Sequence, residues 1–214
     1  MKTTKFFPLF ALIMLLALFS CKNKTATTSA GNNEEKSAVE NLSKGKYAIK
    51  SGIVEYKANV INMEQTQTIT FDDYGAKQVT QAKMEMMGMK INQYTLIKDG
   101  YIYSFNKEKK TGTKHPVAAE KSDIDFQNLT EEIKEKMKIK KIGEETFLGK
   151  PCVKYSIDNE KLKMKGVYWV WNGIALKMDV DMGGMKMVLE TVKIEENPNI
   201  PANTFDVPSD IKFE

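Results

Sequence analysis

Residues 166–195 constrain the fold more than any other part of the chain, because they hold two tight-turn signals one strand length apart. The pairs Asn172-Gly173 and Gly183-Gly184 supply residues that readily adopt a positive φ, as two-residue hairpin turns require. Alternating apolar and polar residues flank both turns. This pattern predicts three consecutive antiparallel strands.

The turns also predict a register, since two-residue loops determine which residues face each other. Counting outward, Trp169 is expected opposite Leu176, and Met178 opposite Leu189. Side chains two residues apart share one face of a strand, so the apolar side chains of this meander are expected on a single face. We predict that this face lines an apolar binding cavity, with these candidate ligand-binding residues: Trp169, Trp171, Leu176, Met178, Met187 and Leu189.

The remaining chain after residue 44 is also typical of β structure, with alternating runs separated by turn residues. Residues 125–138 are the only convincing helix, since Leu129, Ile133 and Met137 recur at helical spacing. Residues 106–122 are predicted to be an exposed loop, and the tail an extended edge segment. We therefore expect about ten strands in a mainly β fold: a curved antiparallel sheet or half-open β-barrel with one or few helices as a lid, formed by residues 45–214 as a single domain.

The first 21 residues have the pattern of an export signal that ends in a cysteine. Two lysines precede an apolar run too short to span a bilayer, and Leu18-Phe19-Ser20-Cys21 follows. This ending resembles a bacterial lipobox, which implies a signal peptide over residues 1–20 and acyl chains such as palmitate on Cys21. An ordinary secretory signal with a chance cysteine is the alternative. The polar residues 21–44 are then a flexible tether.

The lipobox also predicts where the protein resides. Acyl chains on Cys21 would anchor it to a membrane without spanning the bilayer. Lys22, in place of an acidic residue, favours the outer membrane. We expect a periplasm-facing protein of the bacterial cell envelope.

Composition excludes several functional classes. The chain has no arginine among its 32 basic residues, whereas nucleic-acid recognition depends on arginine, so we expect no nucleic-acid partner. No nucleophile, phosphate-binding or metalloprotease motif is present. Cys152 is interpreted as a buried strand residue, and His115 as a solvated one. We predict a monomer that is not an enzyme and needs no cofactor.

Methionines are the one compositional anomaly, since they cluster at two predicted hairpin tips: Met84, Met86, Met87, Met89, Met182 and Met185, with Met187 beside them. Thioethers select soft ions, so a Cu(I) or Ag(I) site is one hypothesis. A deformable apolar lining is the other. In that case the methionines serve the same cavity as the tryptophans.

Several segments together resemble a known superfamily: the lipobox and tether, SGIVEYK, ITFDDYGAK, FLGKPCVKYSI, YWVWNGIALKM and PANTFDVPSD. They are similar to lipoproteins of the outer-membrane lipoprotein-sorting superfamily, the Lol-type carriers and their relatives. The resemblance implies a half-open β-barrel with a helical lid and a concavity that holds acyl chains. The predicted function is binding of a lipid or acyl chain, which would serve lipid or lipoprotein trafficking. A Cu(I)/Ag(I)-binding protein and a protein-interaction scaffold are the alternatives.

Overall fold

The computed structural model describes residues 45–60, 63–86, 88–117 and 124–214. These residues form twelve strands, one α-helix and two short 3-10 helices. The strands are β1 (Gly52–Val60), β2 (Met63–Asp72), β3 (Lys77–Met86), β4 (Met89–Lys98), β5 (Tyr101–Asn106), β6 (Thr111–Pro116), β7 (Ile139–Phe147), β8 (Lys150–Asn159), β9 (Met164–Trp171), β10 (Ile174–Met182), β11 (Met185–Glu196) and β12 (Lys212–Phe213). The helix α1 spans Glu131–Met137, and the 3-10 helices span Asp73–Gly75 and Ala202–Phe205.

All twelve strands belong to one curved sheet that does not close on itself. Its order is β12-β6-β5-β4-β3-β2-β1-β11-β10-β9-β8-β7, so β12 and β7 are its two edges. Neighbouring strands are antiparallel except for β12, which pairs parallel to β6. The predicted mainly β fold with a curved sheet is therefore confirmed.

The predicted hairpin turns are confirmed, and they explain why consecutive strands lie side by side in the sheet. Asn172 and Gly173 have φ values of 50° and 81°, and Gly183 and Gly184 have 66° and 90°. Asp99-Gly100, between β4 and β5, has the same left-handed geometry. Two consecutive positive φ values match the twist of the flanking strands, so each turn returns the chain directly to the neighbouring strand.

Two local predictions are wrong. The predicted loop at residues 106–122 contains β6, where His115 pairs with Ile102 of β5. The predicted helix is shorter than expected, because Asp125 Oδ1 accepts the backbone N–H groups of Gln127 and Asn128 at 3.0 Å each. Such a turn competes with helical hydrogen bonding, so α1 begins only after Thr130, whose side chain caps it.

One end of the sheet, here termed the base, is closed by the segment at residues 45–50. Its backbone is held by hydrogen bonds from Tyr47 N to Tyr74 O and from Ala48 N to Asn172 O, both 3.0 Å. Beneath it, the rings of Tyr47 and Phe71 lie 4.4 Å apart. The opposite end, the mouth, carries the turns after β1, β3, β8 and β10.

The C-terminal segment covers the outer face of the sheet, as its apolar residues predicted. Phe205 and Ile211 are buried there against Leu96 and Phe105. The chain then ends as β12, two residues long, beside β6. The predicted extended edge segment is confirmed.

Cys152 is buried in β8, with 1% of its surface exposed, and the loss of solvation raises the pKa of its thiol. The thiolate is the reactive form, so a raised pKa leaves less of it at any given pH. In the full chain carrying Cys21→Ser, we expect iodoacetamide at pH 8 to alkylate Cys152 more than about 100-fold more slowly than in denaturant. Peptide mass mapping over time measures this ratio. Equal rates would show that the site is open.

Candidate ligand-binding cavity

The concave side of the sheet encloses a cavity of about 2490 Å³. Pockets for ordinary small molecules measure roughly 300–1,000 Å³, so this one is suited to a larger ligand. The base closes one end, and residues 124–138, here termed the lid segment, cross the concave side of β8 and β9.

The wall formed by β9, β10 and β11 is apolar. Inward positions alternate along each strand, and register aligns them: Tyr168 pairs with Met178, which pairs with Leu189. Nearer the mouth, Met164 pairs with Met182, which pairs with Met185. This surface is here termed the apolar wall, and its inward residues are Met164, Tyr168, Met178, Met182, Met185, Met187 and Leu189.

The lid segment packs on the same side of the cavity. The ring centroid of Phe126 lies 5.1 Å from that of Tyr168 and 5.5 Å from that of Tyr155, within the range of favourable aromatic pairs. At the mouth, Asn159 Nδ2 donates to Lys136 O at 3.0 Å, which holds the end of α1 beside β8. None of the α1 residues is fully buried, so this helix is a thin cover.

The structure places half of the sequence-predicted lining residues on the apolar wall. Met178, Met187 and Leu189 line the cavity. Trp169, Trp171 and Leu176 do not, and their predicted position is corrected here. The cause is a register shift between Ala175 and Lys177, which pairs Trp169 with Lys177 instead of Leu176.

Trp169 consequently lies on the face of β9 opposite the cavity. The ammonium groups of Lys154 and Lys177 lie 4.9 and 5.3 Å from its ring centroid, as cation–π pairs do. Lys154 also donates to Glu145 at 2.8 Å, and this hydrogen bond lowers the pKa of that carboxyl. The indole thus lies between two half-buried lysines, one of which is paired with an exposed carboxylate.

Trp171 and Leu176 belong to the packed core at the base. They are buried with Val54, Phe71 and Cys152, and Leu176 has no exposed surface. Tyr47 strengthens this core by donating its hydroxyl hydrogen to Gln78 Oε1 at 2.8 Å. Whether any of the six predicted residues binds a ligand stays a prediction.

Sequence reasoning missed the wall that faces the apolar one. On β2 to β6 the cavity lining is mixed, since apolar side chains such as Ile69, Ile97 and Ile102 lie beside many uncharged polar ones: Gln65, Gln67, Gln78, Thr80, Gln93, Thr95, Ser104 and Thr113. The signal was present in the alternating glutamines and threonines of these strands. A cavity predicted from apolar alternation alone does not include such a wall.

The methionine clusters of the two hairpin tips lie apart along the sheet. Met182 pairs with Met185 at the β10–β11 tip, whereas Met84 lines the cavity from β3. β1 and β2 lie between them, a path of roughly 14 Å at ordinary strand spacing. At the β3–β4 tip Met86 pairs with Met89, which is exposed, and Met87 lies outside the described residues. Soft-metal binding at either tip stays a prediction.

Within the described residues, no three or more His, Cys, Asp or Glu side chains form a group that could hold a metal ion. In the same part of the chain, no helix has the length and apolar character needed to cross a membrane. Cys21, the signal peptide and the tether lie outside the described residues.

Neither a known protein family nor a curated protein matches the sequence. Several solved structures are similar to this chain in three dimensions. An uncharacterized conserved protein from Thermus thermophilus matches with a TM-score of 0.54 and 10% identity, over 85% of this chain and 99% of that one. The likeness is one of fold.

Two further structures match with lower scores. A chain of the MucA/MucB complex of Pseudomonas aeruginosa has a TM-score of 0.48 and 10% identity, over 84% of this chain and 63% of that one, so this chain spans less than two thirds of it. A putative outer membrane lipoprotein-sorting protein domain from Vibrio parahaemolyticus has a TM-score of 0.35 and 11% identity, over 81% and 97%. A lipoprotein-sorting domain, the group that the sequence resembles, is thus among the solved structures similar to this chain.

Proposed function

We propose that this protein binds the acyl chain of a lipid in its cavity and acts by binding, without catalysing a reaction. The observation that supports this most is the large cavity bounded by the apolar wall and the lid segment. Each buried methylene contributes about 0.8 kcal/mol, while association costs roughly 4–15 kcal/mol. Only a long chain in a long cavity overcomes that cost.

The wall is also suited to ligands that vary in shape. Methionine side chains are flexible and polarizable, so they adapt to different partners. Four of them, Met164, Met182, Met185 and Met187, lie near the mouth, where a chain would enter. We propose that these residues admit the chain and that Tyr168, Met178 and Leu189 hold it deeper in.

The proposal places the protein in the bacterial cell envelope as a monomer. Acylated Cys21 would anchor it to the outer membrane, facing the periplasm, and residues 22–44 would hold the cavity near the lipid surface. A role in lipid or lipoprotein trafficking follows from that position.

Palmitic acid binding tests the proposal. We expect the full chain with Cys21→Ser, which carries no acyl chain of its own at that position, to bind radiolabelled palmitic acid saturably in equilibrium dialysis. The double variant Met182→Gln/Met187→Gln should weaken binding about tenfold, because near-isosteric amides replace apolar contacts on the wall.

Met89→Gln is the matched control, since Met89 is 58% exposed and lies outside the cavity lining. Its affinity for palmitic acid should equal that of the parent chain, and circular dichroism should show that all variants are folded. Absence of saturable binding by the folded parent, or equal losses in both variants, would refute the proposal.

A further inference from the structure

The cavity has two chemically different walls, and one of them carries polar groups whose hydrogen bonds an acyl chain cannot satisfy. Facing the apolar wall, β3 to β6 carry a row of four inward hydroxyl residues. Thr80 pairs with Thr95, Thr95 with Ser104, and Ser104 with Thr113. All four line the cavity. This set is here termed the hydroxyl row.

Directly paired residues on one sheet face have Cβ atoms about 4.5–5.5 Å apart, so the hydroxyl row is a continuous band. Ala82 lies two residues beyond Thr80 in β3, nearer the mouth, and it pairs with Gln67 on one side and Gln93 on the other. The amides of these two glutamines extend the band toward the mouth. Covering these hydroxyls and amides with a hydrocarbon chain is unfavourable, because each group would lose its hydrogen bonds to water.

Ser104 is the residue of this band that most needs a partner. It is 4% exposed, and its Oγ has no hydrogen-bond partner among the described residues. By contrast, Thr80 accepts a hydrogen bond from Gln78 Nε2 at 3.3 Å. A buried hydroxyl without a partner destabilises the folded state, and a polar ligand group that reached Ser104 would remove that cost.

Charge indicates what kind of group this is. The residues of the hydroxyl row and its two glutamines are all uncharged, and the chain contains no arginine. The lysines that line the cavity lie at its two ends, such as Lys46 at the base and Lys109 in the turn after β5. A carboxylate or phosphate at the depth of Ser104 would therefore be buried without a counter-ion, which is unfavourable.

We infer that the ligand is an acyl lipid with an uncharged headgroup that carries hydroxyls, such as a monoacylglycerol. The acyl chain lies on the apolar wall, and the headgroup hydroxyls exchange hydrogen bonds with the hydroxyl row. This inference rests on the proposed function, since it assigns the second wall of the same cavity.

Two probes with the same acyl chain test it: 1-monopalmitoylglycerol and palmitic acid, each measured by equilibrium dialysis against the full chain with Cys21→Ser. We expect the glycerol ester to bind at least about tenfold more tightly, as two headgroup hydrogen bonds would provide. Adding Thr95→Val and Ser104→Ala should abolish this preference, so that the variant binds the two probes with equal affinity.

Thr70→Val is the matched control, because Thr70 lies on the opposite face of β2; it should keep the full preference. Thr95→Val alone, a near-isosteric change, should lose part of it even if the double variant fails to fold. Palmitic acid binding with no preference for the ester, or a preference that survives loss of the hydroxyls, would overturn the inference and leave the proposed function intact. Failure of both probes to bind would overturn both.

Discussion

Replacing Phe71 by alanine is expected to lower the free energy of unfolding by about 3–5 kcal/mol. Phe71 has no exposed surface, and its ring packs against Tyr47 and over Gly52. The fit at Gly52 is close: an added Cβ there would lie 2.6 Å from the Phe71 ring. Truncation would leave a cavity between β1, β2 and residues 45–50. These elements are held by backbone hydrogen bonds, so they could move little to fill it.

Urea denaturation followed by circular dichroism measures this loss. Tyr101→Ala is the matched control, since Tyr101 is 39% exposed, and its cost should stay below about 1 kcal/mol. Similar losses in the two variants would show that the base is not a packed core.

Replacing Leu176 by alanine is expected to cost about 2–5 kcal/mol of stability without weakening palmitic acid binding in the fraction that remains folded. Leu176 is fully buried in the core at the base and makes no part of the cavity lining. Sequence reasoning predicted the reverse, a ligand contact. Measuring both stability and palmitic acid binding therefore distinguishes a Leu176 side chain in the packed core from one in the cavity lining.

Leu148→Ala provides the matched comparison, because Leu148 is 49% exposed in the turn between β7 and β8. Denaturant titration and equilibrium dialysis with palmitic acid are run on the same preparations. A Leu176→Ala variant of normal stability that no longer binds palmitic acid would contradict the structure and restore the sequence prediction.

The regular parts of the fold were predictable because they depend on local signals. Asn172-Gly173 and Gly183-Gly184 identify their turns by backbone preference alone, and the apolar tail residues identify an edge segment. The buried position of Cys152 followed from its residue type and its strand neighbours. Each of these features needs only a few consecutive residues.

The cavity lining was less predictable than the turns. One extra residue in a strand exchanges which side chains of the paired strand lie on the inner and the outer face of the sheet. The shift between Ala175 and Lys177 moves Trp169 to the outer face, as any one-residue change of register does. Nothing within β10 itself marks a bulge, since residues 174–182 contain no glycine. Met178, Met187 and Leu189 kept their predicted positions because they lie beyond the shift, next to the β10–β11 turn.

The polar wall was missed for a different reason. Alternating glutamine and threonine along β2 to β4 predicts strands, but it does not show which face is concave. That depends on how far the whole sheet curls, a property of all twelve strands together. Thr95 and Ser104 become neighbours only through the pairing of β4 with β5.

The two edges of the sheet, which pair with no further strand among the described residues, have a mechanical consequence. A closed barrel has a circumference fixed by its strand number and stagger, so it cannot widen without breaking hydrogen bonds. Here β7 and β12 end the sheet, and the curl between them can loosen or tighten by small changes of twist at each strand pair. The diameter of the enclosed space is therefore adjustable with every interstrand hydrogen bond intact, which under the proposed function would let the cavity hold one acyl chain or several.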